Sequence, residues 1–437
     1  MTTTFRELGV STELCDRLEQ LGFTEPFPIQ QLTLTDALAG RDVSGEAPTG
    51  SGKTLAFALP VAMSVGRGAP GRPRALLLVP TRELASQVAA TLHTLLEVTG
   101  GRAVTFYGGT SINRDLQRLR ARIDVVIATP GRLEDLIARG AIDLGDVDLV
   151  VVDEADRMAD MGFLPAVKRL LDATAPARRT LLFSATLDGD VEVLIRRYQR
   201  DPVTHRFAAS QEDRGDVRHL FWSVERPERR QLTRRILGRT GPAIVFTRTK
   251  HGADRLAKQL RQDGVSTAAI HGNRTQRQRE QALTRFSSGD VQALIATDVA
   301  ARGIHVDDVD LVLHYDRPAT DKDYVHRSGR TGRAGALGLV VSLVDREEAR
   351  DVHRMQRKLE LPHGLHELDL GLMDAEVLPE PAPPTGERSG AGGTQQRGSK
   401  GRDGHRSGNG QQARNGNQRG RSSGSRNRAR GRHARAR

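Results

Sequence analysis

The sequence predicts an α/β protein of two tandem units, each a parallel β-sheet covered by helices, followed by a basic tail unable to fold. Three observations predict it. Short apolar runs alternate with helical stretches through the first half, and such alternation specifies a parallel sheet with crossover helices. The pattern breaks at the polar segment 208–216 and then restarts, which marks a linker. From residue 388 onward the chain holds 14 Lys and Arg against one acid, Asp403. The expected boundaries are 1–207 and 217–365 for the folded units, 208–216 for the linker and 380–437 for the tail.

At 437 residues the chain is long enough for roughly two or three domains with ordinary cores. Residues 388–437 carry +13, so the remaining 387 carry −1 of the total of +12, and the basic character belongs to the tail. The single cysteine, Cys15, excludes an intrachain disulfide and any cysteine metal cluster. The amino terminus is polar and no apolar run approaches a membrane span, so a soluble cytoplasmic protein is expected.

The elements follow in order. Leu8, Leu14, Leu18 and Leu21 recur at helical spacing and stop at Gly22, predicting a helix over 12–20. Pro26 and Pro28 then fix a turn that presents Gln30 at the start of the next helix. A carboxamide can both donate to and accept from the N6/N7 edge of adenine, although a Gln in this position is as readily a cap. The stretch Ala47-Pro48-Thr49-Gly50-Ser51-Gly52-Lys53-Thr54 is more specific. Its glycines let backbone N–H groups converge on a phosphate, Lys53 can reach the β and γ phosphates, and the Thr54 hydroxyl can ligate Mg²⁺. Ala47 stands where the general phosphate-loop pattern has Gly. Residues 55–60 read as the helix whose amino end faces the phosphates.

Strands are expected at 75–79, 104–107, 124–128, 149–152 and 180–183, with helices at 85–96, 116–121 and 133–138. Strand ends carry Thr81 and Arg82, Gly108 and Gly109, and Thr129 to Arg132. Small residues there permit close approach of a sugar-phosphate backbone and the arginines could hold its phosphates, but each stretch also suits an ordinary turn. Asp153-Glu154-Ala155-Asp156 follows the apolar run 149–152. Alone, an Asp-Glu pair after a strand is a solvated turn. Beside a phosphate loop in the same unit it becomes a candidate metal holder and water activator at the carboxyl end of a sheet.

In the second unit, strands are expected at 243–247, 267–270, 293–296 and 311–315, with a helix at 253–261. The stretch 324–333, Tyr-Val-His-Arg-Ser-Gly-Arg-Thr-Gly-Arg, holds three arginines and a histidine with two glycines. Placed opposite a phosphate loop, such arginines neutralise charge on a transferring phosphoryl group. Closure of the two units would then assemble the site.

With Ser184-Ala185-Thr186 after the strand at 180–183, the chain resembles the DEAD-box ATP-dependent RNA helicases of superfamily 2 over about residues 5–361. The compact body and basic tail are similar to bacterial members of the RhlE type. The resemblance implies two RecA-like domains, ATP and Mg²⁺ as ligands, and RNA as the polymer. It assigns adenine to Gln30 with Phe23 and Phe5, phosphates to Thr49, Gly50, Ser51, Gly52, Lys53 and Thr54, and Mg²⁺ to Thr54 and Asp153. Glu154 would activate water, with Arg330 and Arg333 as arginine fingers. Asp156, Ser184, Thr186 and His326 would couple nucleotide state to the interface. RNA would lie on Thr81, Arg82, Gly109, Thr129 and Arg132 in one unit and on Gly272, Arg279 and Thr297 in the other.

The chain departs from the commonest family pattern at Pro48, Asn273 and His305. The last replaces an aspartate that in the family touches the ribose, and a histidine offers at most one acceptor. Weaker or more pH-sensitive ATP coupling than in a His305→Asp variant is therefore expected. Family members separate short duplexes by local strand bending. Ribosomal or RNA-decay complexes are the expected partner assemblies. A rival reading is an ATP-gated RNA clamp or assembly platform with little unwinding, and a second is a DNA helicase. The tail has no aromatic residue after Arg388, so it is expected to hold RNA through phosphate charge alone.

Overall fold

The computed structural model of the chain describes residues 3–48, 50–207, 217–301, 306, 309–332 and 337–374, all within one compact unit. The expected linker 208–216 and tail 380–437 lie outside the described residues, as do Thr49, His305 and Arg333.

Two sheets form. The first contains β1 (Val43–Glu46), β2 (Ala75–Leu78), β3 (Ala103–Phe106), β4 (Val125–Ala128), β5 (Leu149–Asp153), β6 (Arg179–Ser184) and β7 (Val203–Arg206). Its order is β3-β4-β2-β5-β6-β1-β7 and every pairing is parallel. The second contains β8 (Val217–Ser223), β9 (Ala243–Phe246), β10 (Thr267–Ile270), β11 (Ala293–Ala296), β12 (Leu311–His314) and β13 (Gly338–Val344). Its order is β10-β11-β9-β12-β13-β8, again wholly parallel. Taken in chain order, the second sheet repeats the first six strands of the first sheet.

Parallel strands are buried on both faces, which is why they read as unbroken apolar runs. In β5, Leu149 and Val151 enter one core and Val150 and Val152 the other, as the two-residue period requires. The second sheet divides its apolar residues between two cores in the same way. The result carries the ends of β1, β2, β5 and β6 to one edge of the first sheet, where open α/β folds bind ligands.

The helix at Thr12–Gln20 and strands β10 and β11 fall where the pattern puts them. Other bounds move. The helix expected at 116–121 spans Ile112–Arg118, and the one expected at 55–60 runs from Lys53 to Ser64 with Pro60 inside it. Strands β1, β7, β8 and β13 were not expected. Strand β1, Val-Ser-Gly-Glu, is short and hardly apolar, and it owes its place to fit: a Cβ on Gly45 would stand 2.6 Å from the Phe183 ring on β6. Packing in the second half continues past residue 365, where Leu370 and Met373 are buried in its core.

Candidate nucleotide and RNA site

The phosphate loop leaves the end of β1 and enters the helix Lys53–Ser64. Gly50 and Gly52 both have left-handed backbone, with φ of 87° and 86°, which glycine adopts without steric cost. This directs the first helical N–H groups to one point. Ser51 folds back, its hydroxyl donating to the Pro48 carbonyl at 2.8 Å.

Lys53 is buried. Its Nζ donates to the Ala47 carbonyl at 2.9 Å and lies 3.1 Å from Glu154 Oε1. Burial alone would lower its pKa, but the carboxylates of Glu154, Asp153 and Asp156 outweigh that and hold it above the ordinary value. Asp153 ends β5 and is pushed up to about 7, first by burial and then by Glu154, against the pull of Lys53. Asp156 is raised for the same two reasons in the same order. Its backbone N–H donates to the Ser184 hydroxyl at 3.1 Å, which joins the ends of β5 and β6.

Glu154 has φ 54° and ψ 51°. A left-handed glutamate is strained by about 1–3 kcal/mol and persists where its surroundings fix it. Here the strain turns the chain from β5 into the helix Ala155–Asp160 while the carboxylate faces Lys53. Thr54 follows Lys53 on the first helical turn, half-buried.

Gln30 is buried in the helix Pro28–Leu38. Its Oε1 accepts from the Phe27 N–H and its Nε2 donates to the Gly52 carbonyl, both at 2.9 Å. The carboxamide thus ties its own helix to the phosphate loop. The helix has no side-chain cap, because Phe27 occupies the cap position; Ser or Asn there would stabilise it by about 0.5–2 kcal/mol. Of the two aromatic residues paired with Gln30 by resemblance, Phe5 is buried in the first core and Phe23 is exposed.

The expected RNA-facing residues gather at strand ends. Thr81 caps the helix Arg82–Thr99, accepting from Leu84 N at 3.3 Å. Arg82 packs over Gly109, where a Cβ would meet its guanidinium at 2.3 Å. Thr129 is the cap residue of the helix Pro130–Ala138. Arg132 is largely committed within the protein: it donates to the carbonyls of Tyr107 at 3.2 Å and Thr110 at 2.6 Å and lies 3.5 Å from Asp115. It holds the loop bearing Gly109 in place.

In the second half, Gly272 is exposed beside Lys250, whose Nζ donates to Asn273 Oδ1 at 2.9 Å. Thr297 is buried at the end of β11. Arg279 is nearly buried, and its Nη2 lies 3.1 Å from Glu83 Oε2 of the first half. Burial, before the opposing pull of Glu83, lowers its pKa. Lys322 and Asp160 meet across the same boundary at 3.7 Å. His326 is half-buried on the helix Asp321–Ser328, Arg330 follows that helix in a buried position, and Thr186 is exposed.

Sequence reasoning missed Glu83 and also Asp298, which accepts from Arg327 Nε at 2.6 Å and Nη2 at 2.8 Å. No local signal marks either, since their partners are 196 and 29 residues distant. Among the described residues no group of three His, Cys, Asp or Glu could hold a metal ion unaided.

A phosphate loop, a strained Asp-Glu pair at a neighbouring strand end and a second sheet of the same order define a two-sheet nucleotide hydrolase of the phosphate-loop class. Comparison with known proteins narrows this. Residues 27–194 match the family model for the DEAD/DEAH box helicase and residues 228–335 that for the helicase conserved C-terminal domain. The DEAD-box ATP-dependent RNA helicase CshA of Geobacillus kaustophilus is 38% identical over 357 residues, 81% of this chain and 76% of that protein. DEAD-box ATP-dependent RNA helicase 30 of Arabidopsis thaliana is 38% identical over 364 residues, 82% of this chain and 62% of that protein. Among solved structures, S. cerevisiae Dbp5 bound to RNA and ADP BeF3 is similar with a TM-score of 0.70 at 27% identity, over 81% of this chain and 93% of that one. The chain belongs to the family of DEAD-box ATP-dependent RNA helicases.

Proposed function

We propose that the chain hydrolyses ATP in response to RNA, and that closure of its halves on one strand locally separates short duplexes or remodels RNA–protein assemblies. The observation that carries this is the buried Lys53–Glu154 pair at 3.1 Å, flanked by Asp153 and Asp156. Lys53 and Glu154 neutralise one another. Nucleotide phosphates compete for the ammonium, and as Lys53 turns to them Glu154 is released to orient or deprotonate the attacking water. Arg330 and Arg333, from the second half, supply positive charge to the transferring phosphoryl group.

The donor set suits Mg²⁺, which takes one or two carboxylates and keeps waters and phosphate oxygens as its other ligands. Asp153, a buried carboxylate raised by its neighbours, gains from a cation beside it, and the Thr54 hydroxyl supplies a second oxygen. When bound, the ion would offset charge on the β and γ phosphates.

Gln30 with Phe23 is proposed to read the adenine, and Thr49 to Gly52 to cradle the phosphates. Asp156, Ser184, Thr186 and His326 relay nucleotide state, which the bond between Asp156 and Ser184 supports for the first pair. RNA is proposed to lie on Thr81, Arg82, Gly109, Thr129 and Arg132 and on Gly272, Arg279 and Thr297. The tail is proposed to tether RNA non-specifically, and the protein to work in the cytoplasm. Deleting residues 388–437 is expected to weaken RNA binding and flatten its salt dependence, with ATP binding unchanged. An unchanged salt slope would remove the tether.

The test of the whole reading compares RNA-stimulated ATP turnover with strand separation on a short tailed duplex. Both activities are expected. Stimulated turnover without separation would favour a clamp, and stimulation by DNA alone would overturn RNA as the substrate.

A further inference from the structure

The two edges of the second sheet differ. At one of them β8 is covered by His366, whose N–H donates to the Phe221 carbonyl at 2.7 Å and whose carbonyl accepts from the Ser223 N–H at 3.2 Å. At the other, β10 pairs with β11 alone among the described residues. An uncovered edge strand offers a row of N–H and C=O groups to another chain, and proteins usually cover or blunt it.

The ladder fixes which groups face outward. The carbonyls of Ser266 and Ile270 accept from Ala293 N at 3.2 Å and Thr297 N at 3.4 Å, on the β11 side. Orientation alternates along a strand, so Thr267 and Ala269 turn their N–H and C=O groups away from the sheet. Arg261 Nη1 meets the Thr267 carbonyl at 3.1 Å. Ala269 lines a groove of about 900 Å³ that follows β10 between the helices Lys250–Gln262 and Gln276–Ser287. The matching edge of the first sheet, β3, has a groove of about 340 Å³ whose lining mixes His93, Glu97, Arg102 and Arg118.

The β10 groove is cationic. Arg261, Arg274, Arg277 and Arg285 line it against one acid, Glu280. Arg274 is committed to Asp254, whereas Arg277 and Arg285 are exposed. Both lie away from Arg279, which on the same helix is buried toward Glu83, so the groove is apart from the residues proposed for RNA. No aromatic residue is among the lining, which leaves bases nothing to stack on. Phosphates could accept from the strand's N–H groups but offer nothing to its carbonyls. A polypeptide satisfies both.

We propose that the groove along β10 docks an acidic, extended segment of a partner protein, which adds to the sheet as a further strand while Arg277 and Arg285 hold its carboxylates. Main-chain pairing supplies affinity in this mode and the side chains supply selectivity. The rival account is that the arginines only guard the edge against pairing.

The test uses the full chain, the double substitution Arg277→Gln with Arg285→Gln, and the labelled peptide Glu-Val-Glu-Val-Glu-Val-Glu, followed by fluorescence anisotropy. A second peptide of the same sequence has alternate backbone nitrogens methylated, so it keeps its charge and loses its donors along one side. The basic tail would hold either peptide by charge alone, so the differences carry the decision. The double variant is expected to bind the first peptide about fivefold more weakly, the scale of two exposed ion pairs. The methylated peptide should bind the unmodified protein about tenfold more weakly than its parent. Melting temperature and RNA-stimulated ATP hydrolysis should not change in the variant. Absence of peptide binding, or failure of either difference, overturns the proposal and leaves the arginines as guards of the edge. It is also overturned if the variant loses affinity for single-stranded oligouridylate by a similar factor, since the groove would then belong to RNA.

Discussion

The two sheets share the order of six strands, yet among the described residues only the first is followed by a phosphate loop. Strand β8 occupies in the second sheet the place of β1 in the first, but it runs on to Val224, whose N–H donates to the Val344 carbonyl at 2.8 Å, and no glycine loop follows. Strand β12 occupies the place of β5. Where β5 ends in Asp153 and a strained Glu154 facing Lys53, β12 leads to Asp316, whose carboxylate accepts from the Arg248 N–H at 2.8 Å and lies 3.7 Å from Arg229. The same topological position is chemical in one half and structural in the other. The second half contributes cations instead: Arg279 toward Glu83, and Arg330 beyond the helix Asp321–Ser328. On the function proposed above, neither half alone supplies the full set of charges for phosphoryl transfer.

This asymmetry can be broken at four places. The largest effect is expected from Arg330→Ala, which removes the second half's contribution and should lower RNA-stimulated turnover by roughly 10³ to 10⁵ while ATP binding measured by calorimetry persists. Next is Glu154→Gln. It leaves Lys53 beside a neutral carboxamide and should reduce turnover by about 10² to 10⁴ in a steady-state assay without loss of ATP binding.

The pair that joins the halves comes third. Glu83→Gln and Arg279→Gln should each lower stimulated turnover by about tenfold to a hundredfold, since each leaves a buried charge without its partner. The double substitution should do no more than the worse single one. Losses that multiply would mean that the two residues do not act as a pair.

The smallest effect concerns stability. Burial pushes His219 down to about 4 from an ordinary value of 6.5, with its Nδ1 against the Tyr324 hydroxyl at 2.7 Å. Its ring packs against Tyr324, on which Phe221 and His314 also pack, and His314 is lowered by burial too, then by Arg327 and His219. Below pH 6.5 the unfolded chain takes up a proton at His219 that the folded chain refuses. Stability is therefore full above pH 6.5 and falls as pH drops toward 4, by about 3 kcal/mol for this residue. Denaturant titrations across that range should show the decline, and His219→Gln should flatten it.

Much of this was legible in the chain. Alternating runs at residues 149–152 and 293–296 announced parallel strands because both faces of such strands are apolar. The phosphate loop and the Asp-Glu pair were legible because their chemistry is local: the residues that act are adjacent. Strand β1 was not, since Val-Ser-Gly-Glu has too little apolar content to signal burial and depends on the fit of Gly45 to Phe183. Nor was the commitment of Arg132 to Tyr107 and Thr110, or the meeting of Arg279 with Glu83, because sequence spacing carries no information about partners brought together by closure of a fold. The same holds for Phe5, which looks available in the sequence and is packed away in the core.

The central claim is that the charges of the second half complete the site of the first when RNA is held. The rate of ATP hydrolysis by the intact protein, with and without single-stranded RNA and with ATP saturating, tests it most directly. RNA should raise that rate on the order of tenfold or more, because closure and not ATP binding limits turnover. An equal rate with and without RNA would mean that the first half hydrolyses ATP unaided, and would contradict the account.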